Sequence, residues 1–301
     1  SHRLDAGGQR DFADSARVPL SRSGRECLVN FIRVVDRARK HRKIESRRAR
    51  CGQNNCFSPL QQIYRIQHFS HQGGGNHRGA VPVYAVGEDQ GTYFYAMELV
   101  DGPSLEAMLA ELTDRNPGRL LGSLAEETSL KDRCPGFLDA RFDRVPTGAR
   151  YSVSCAAIIA DLASALVMAH HAQVIHRDLK PSNVLLRKDG RPMLVDFGLS
   201  RDQTAVGLTM SGDAVGTPSY MAPEQAFGQK DLDARVDIYG LGATLYEMLT
   251  LRPPFDGGTA VEIMRQIVED EPPSVRSLNS RVAPDLATIV HKCLAKNREH
   301  R

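Results

Sequence analysis

Three motifs in a fixed order constrain this chain more than any bulk property. His176-Arg177-Asp178-Leu179-Lys180-Pro181-Ser182-Asn183 comes first, and Asp196-Phe197-Gly198 begins thirteen residues after Asn183. Gly216-Thr217-Pro218-Ser219-Tyr220-Met221-Ala222-Pro223-Glu224 closes the series. A lone His-Arg-Asp is commonly a surface charge cluster and a lone Asp-Phe-Gly commonly a turn, but all three in sequence leave chance little room. Composition permits a folded domain: of 301 residues, 41% are apolar and 25% charged, which excludes wholesale disorder and collagen-like repeats. The six cysteines (27, 51, 56, 134, 155, 293) are too few and too scattered for a disulfide scaffold, so a cytoplasmic location is expected. The most apolar stretch, Tyr151 to Ile175, is cut by Asp161 and carries two histidines, and is not expected to span a membrane.

From Val81 onward the chain resembles the eukaryotic-like Ser/Thr protein kinases of bacteria. The resemblance implies an α+β, bilobal protein-kinase fold: an incomplete β-rich small lobe, a hinge at 98–102 and a mainly helical large lobe over 103–301. It also implies transfer of the γ-phosphate of ATP to Ser or Thr hydroxyls of protein substrates, with Mg²⁺ as cofactor. Phosphoryl transfer of this kind has a loose transition state, so a site must mainly position groups and neutralise charge. Asp178 would orient the incoming hydroxyl and accept its proton, and Lys180 would steady the γ-phosphate. Asn183 and Asp196 would offer the hard oxygen ligands that Mg²⁺ requires. Leu179-Lys180-Pro181 resembles the Ser/Thr class, and Thr217 resembles the threonine that contacts the catalytic Asp–Lys pair there.

Further positions follow from the same resemblance. Met97 corresponds to the gatekeeper, Glu98-Leu99-Val100 to the hinge whose backbone would bond adenine, and Leu185 to the floor beneath the purine. Asp237 resembles the aspartate that ties down the catalytic-loop backbone, and Glu224 the glutamate that pairs with a buried arginine, for which Arg301 is the suitable partner. Arg298 stands where the family usually has proline. The presumed activation loop between Leu199 and Gly216 carries Thr204, Thr209 and Ser211 as candidate phosphosites, with Arg177 positioned to meet a phosphate.

Periodicity gives a coarse map. Val81–Gly87 and Thr92–Leu99 read as two strands around a Glu-Asp-Gln-Gly turn. Ser104 reads as the N-cap of a helix carrying Leu105, Met108, Leu109 and Leu112. Residues 113–150 read as a loop or insertion. Ser152–Gln173 reads as a buried helix, with more helices at Ile238–Leu249, Ala260–Glu269 and Asp285–Leu294.

Residues 1–80 stand apart as an unassigned basic segment, and 81–301 as the kinase-like domain. The first 80 residues hold 16 Lys+Arg against 6 Asp+Glu, a net of +10, and the remainder carries −7. No Gly-x-Gly-x-x-Gly occurs in them, no lysine lies between Lys43 and Lys131, and no acidic residue between Glu45 and Glu88. The family's Gly-rich loop, strand lysine and helix glutamate are therefore not located. Three readings stand: a divergent small lobe in a pseudokinase scaffold, an unrelated basic domain, or a segment translated from a shifted frame. Leu28–Val35 could be a strand or a helical turn. Cys51, Cys56, His68 and His71 approach a zinc pattern, but their His–His gap is shorter than usual. Interleaved aromatics are sparse, so nucleic acid is not an expected partner.

Overall fold

The computed structural model describes residues 32–34, 79–89, 92–115, 147–197 and 218–301. Strands β1 (Ile32–Val34), β2 (Val83–Asp89) and β3 (Thr92–Met97) form an antiparallel sheet in the order β1-β3-β2. In register, Arg33 and Val86 both oppose Tyr95. Within Leu28–Val35, then, three residues form a strand. The β2–β3 pairing runs to Asp89↔Thr92, so Glu88 and Asp89 belong to the strand and not to the turn that composition assigns them.

The rest is a helical body. Helix α1 (Leu105–Arg115) is capped as expected, the Ser104 hydroxyl oxygen accepting from the Ala107 amide at 3.1 Å. Its Leu105, Met108, Leu109 and Leu112 are all buried, so the apolar stripe faces the core. Helix α2 runs from Thr147 to His171. These two helices therefore claim residues 113–115 and 147–150, and the proposed insertion shrinks to 116–146, outside the described residues. Ala149–His171 is long and apolar enough to cross a membrane by length and composition. Part of that apolarity serves the interior: Cys155, Leu162 and Ala169 are fully buried, and the Tyr151 hydroxyl donates to the Met248 carbonyl at 2.6 Å.

Strands β4 (Val184–Leu186) and β5 (Pro192–Leu194) make a short hairpin that periodicity does not announce, because three residues are too few to alternate. Its turn closes through the Gly190 amide donating to the Arg187 carbonyl at 2.8 Å. Beyond it come α3 (Pro223–Ala226), α4 (Arg235–Thr250), α5 (Ala260–Glu269), α6 (Val275–Leu278) and α7 (Pro284–Cys293). Helix α4 is buried nearly all round, with Tyr239, Tyr246, Met248 and Leu249 fully enclosed, and α2 and α7 pack against it. It starts three residues before the apolar run at Ile238, which puts Asp237 in its first turn. Thr259 caps α5 by accepting from the Glu262 amide at 3.1 Å.

Candidate active site

Asp237 organises the loop that carries the first motif. It is 1% exposed, and its two carboxylate oxygens accept three bonds. Oδ1 takes the Arg177 amide at 2.7 Å, and Oδ2 takes the His176 amide at 2.8 Å and the His170 ring nitrogen Nε2 at 2.7 Å. A buried carboxylate is tolerated when donors surround it, and here two of the three donors are the backbone that must be held. Arg177 sits at φ 66°. That left-handed conformation is uncommon for a side-chain-bearing residue and needs such restraint. Gln225 of α3 adds a bond from its Nε2 to the Arg177 carbonyl at 2.9 Å.

His176 is fully buried and neutral. Burial lowers its pKa, opposed by the nearby Asp237. Its Nε2 lies 3.0 Å from the Val195 carbonyl, and its Nδ1 accepts from the Asp178 amide at 3.4 Å. The carbonyl can only accept, so the proton resides on Nε2. The ring thus links the Asp178 segment to the Val195–Asp196 segment, and it packs on Phe197 with centroids 4.7 Å apart. Asp196 follows at φ 60°, a second left-handed residue within the same constellation.

Asp178, Lys180 and Asn183 converge. Lys180 Nζ lies 3.0 Å from Asp178 Oδ2. Asn183 Nδ2 donates to the Asp178 carbonyl at 2.7 Å and to its Oδ2 at 3.1 Å. The amide nitrogen is therefore committed to Asp178, which leaves Oδ1 as the atom suited to a hard cation. The Val195 amide donates to the Asn183 carbonyl at 3.0 Å, which ties the asparagine to the residue just before Asp196. Met97 and Leu185 pack with Val81, Val100, Met193 and Val195 in a small apolar cluster beside the hinge. The Glu98 amide donates to the Pro82 carbonyl at 2.9 Å, and Leu99 is exposed.

A family model for the protein kinase domain matches residues 61–301. The chain belongs to the protein kinase family. The match takes in 61–80, part of the stretch that the motifs leave unassigned. The chain is similar to the serine/threonine-protein kinase PkaA of Streptomyces coelicolor, 45% identical over half of this chain and 27% of that protein. It is 34% identical to a probable serine/threonine-protein kinase of the same organism, over 75% of this chain and 29% of the relative. It is 40% identical to PknB of Mycolicibacterium smegmatis, over 48% of this chain and 23% of PknB. The chain thus spans less than a third of the length of these relatives. The family generally uses ATP and Mg²⁺ and acts on protein substrates.

In this kinase domain Glu224 and Arg301 meet as the resemblance implied. Their pairing is bidentate, Nη1–Oε1 at 2.6 Å and Nη2–Oε2 at 2.8 Å. Arg301 also donates to the carbonyls of Ala295, Arg235 and Lys296. Arg298, where proline is usual, bonds the Asp231 carbonyl at 2.8 Å and lies near Asp233. Thr204, Thr209, Ser211 and Thr217 lie outside the described residues, as do Cys51, Cys56, His68 and His71.

Several residues that hold the site escape sequence reasoning. His170 lies in the last turn of α2, where it resembles any polar helix terminus, yet it meets Asp237. Gln225 sits beside Glu224 but serves Arg177. Tyr220 donates to Glu247 Oε2 at 2.6 Å, joining the third motif to α4. Burial raises the Glu247 pKa, with Glu106 adding to the shift and the Tyr220 hydroxyl opposing it.

Proposed function

We propose that the chain transfers the γ-phosphate of ATP to Ser or Thr hydroxyls of proteins. The observation that carries this reading is the convergence of Lys180 and Asn183 on Asp178. In it, Asp178 aligns the acceptor hydroxyl and takes its proton as the oxygen attacks phosphorus. The Lys180 ammonium, fixed by the same carboxylate, faces the negative charge that gathers on the transferred group. Met97, the Glu98–Leu99 backbone and Leu185 form the base-binding wall, and Asn183 with Asp196 fit a divalent cation by donor type. Mg²⁺ bound there would neutralise phosphate charge. Arg177, half-buried and with its Nε lacking a partner among the described residues, supports docking of a phosphorylated activation-loop Thr204, Thr209 or Ser211.

The arrangement is read as bilobal, with the three-stranded sheet as the described part of the small lobe. We place the domain on the cytoplasmic side, where ATP is available. The second reading is a nucleotide-free scaffold. It is favoured by the strand lysine and helix glutamate not being located in residues 1–80. A thermal-shift titration with Mg²⁺–ATP separates the two, since a scaffold with no nucleotide site shows no shift. Asp178→Asn should abolish phosphate transfer with the far-UV circular dichroism unchanged; full activity in that variant would sink the assignment.

A further inference from the structure

The hinge and the two residues that follow it lie against the β4–β5 hairpin. The Leu186 amide donates to the Pro103 carbonyl at 2.9 Å, and Ser104 bridges Leu185. Gly102 lies so close that a Cβ there would stand 1.7 Å from the Leu186 carbonyl oxygen. Two ion pairs complete the contact. Arg187 pairs with Glu98, their side chains 36% and 28% exposed. Lys188 Nζ meets Asp101 Oδ2 at 2.5 Å, with both side chains largely exposed. The two acidic residues bracket Leu99 and Val100. The two cations come from a closed turn, since the Arg187 amide also donates to the Arg191 carbonyl at 2.9 Å. The strand leading into that turn carries Leu185.

We infer that Arg187 and Lys188 are positioning residues for the nucleotide base, holding the hinge backbone at a fixed height over Leu185. The inference rests on the nucleotide-binding reading above. Arg187 carries most of the effect. Its planar guanidinium pairs with a partly shielded carboxylate, whereas an exposed Lys–Asp pair contributes little. Neither cation touches the base itself; each acts through an acidic hinge residue.

The test is Arg187→Ala, read in two ways. In the nucleotide-free chain, hydrogen exchange at amides 98–102 should speed up while α4 amides keep the parent rate. With ligand, the Kd for adenosine and for Mg²⁺–ATP should both rise by the same factor, about threefold to tenfold for loss of a partly shielded charge-assisted pair. The charge swap Glu98→Arg with Arg187→Glu should recover slower hinge exchange, which a merely structural role for Arg187 would not produce. Unchanged hinge exchange in Arg187→Ala overturns the inference, as does weaker ATP binding with adenosine unaffected. If Arg187→Ala does not fold, the exchange measurement passes to Arg187→Gln, which keeps a polar stem but removes the charge that pairs with Glu98; there faster hinge exchange supports the brace and parent-like exchange overturns it. A parent chain that binds neither ligand, with hinge exchange still faster in the variant, refutes the nucleotide reading and leaves the brace standing.

Discussion

Replacing Arg301 by alanine isolates the cost of orphaning a buried charge. The Arg301 side chain is 0% exposed and that of Glu224 is 6% exposed. Arg301 makes five hydrogen bonds, two to the carboxylate and three to backbone carbonyls. Its guanidinium also lies 5.1 Å from the centre of the Tyr239 ring. Alanine removes all of these at once and leaves the buried Glu224 carboxylate without its cation. Breaking a buried pair from one side costs about 3–5 kcal/mol. For a domain of about 150–250 residues that lowers Tm by about 6–20 °C. The chain has no tryptophan, so urea unfolding is best followed by circular dichroism. Adding Glu224→Ala to the alanine variant should return at least about 1 kcal/mol, because neither partner is then a lone buried charge. A loss below about 1 kcal/mol for Arg301→Ala would place the pair with solvated surface pairs and refute the argument.

Two further predictions use other buried groups. Asp237→Asn turns one acceptor oxygen into a donor opposite backbone amides that must donate; it should lower stability by about 2–4 kcal/mol and abolish transfer, as read by urea unfolding and phosphate incorporation. Retained activity would show that the His176 and Arg177 amides do not need the carboxylate. Glu247 gives a pH dependence of known sign. Its folded pKa is raised, so the folded state holds the proton at pH values where the unfolded chain has lost it, and stability falls as pH rises through that window. Gln does not titrate, so the stability of Glu247→Gln relative to the parent should grow as pH rises above the range in which an unfolded glutamate titrates. A flat or opposite trend in the urea midpoints would refute the burial argument.

The chemistry of the site was legible because it is written in contiguous letters. Asp178, Lys180 and Asn183 lie within six residues, so a local turn suffices to bring them together. Glu224 and Arg301 were also legible, but only through resemblance, since seventy-six residues separate them. What stayed hidden is contact made across the fold by residues with no local pattern. His170 looks like an ordinary helix end until α4 brings Asp237 beneath it. Arg187 looks like any turn cation until the hinge lies alongside. The β4–β5 hairpin was missed because its strands are shorter than one full alternation. Helix α1 runs on to Arg115 and α2 begins back at Thr147 because backbone hydrogen bonding carries a helix past its apolar stripe, whereas α2 stops at His171, two residues short of Gln173.

Helix α4 has a consequence for how this domain can be altered. A Cβ on Gly240 would fall 2.7 Å from the Leu179 Cβ, and one on Gly242 would fall 2.5 Å from the Cys293 Cβ. Leu179 lies in the catalytic loop and Cys293 ends α7, so the helix is wedged between them with no cushion on either side. Freedom to change is therefore very uneven along the chain. At 240 and 242 a single added methyl would have to move the loop bearing Asp178 or the helix behind it. The outward residues Val167 and Met168 of α2 can be exchanged without touching either. An attempt to re-aim this site by design has to enter through the loops at its mouth, because its foundation has no spare volume to rearrange.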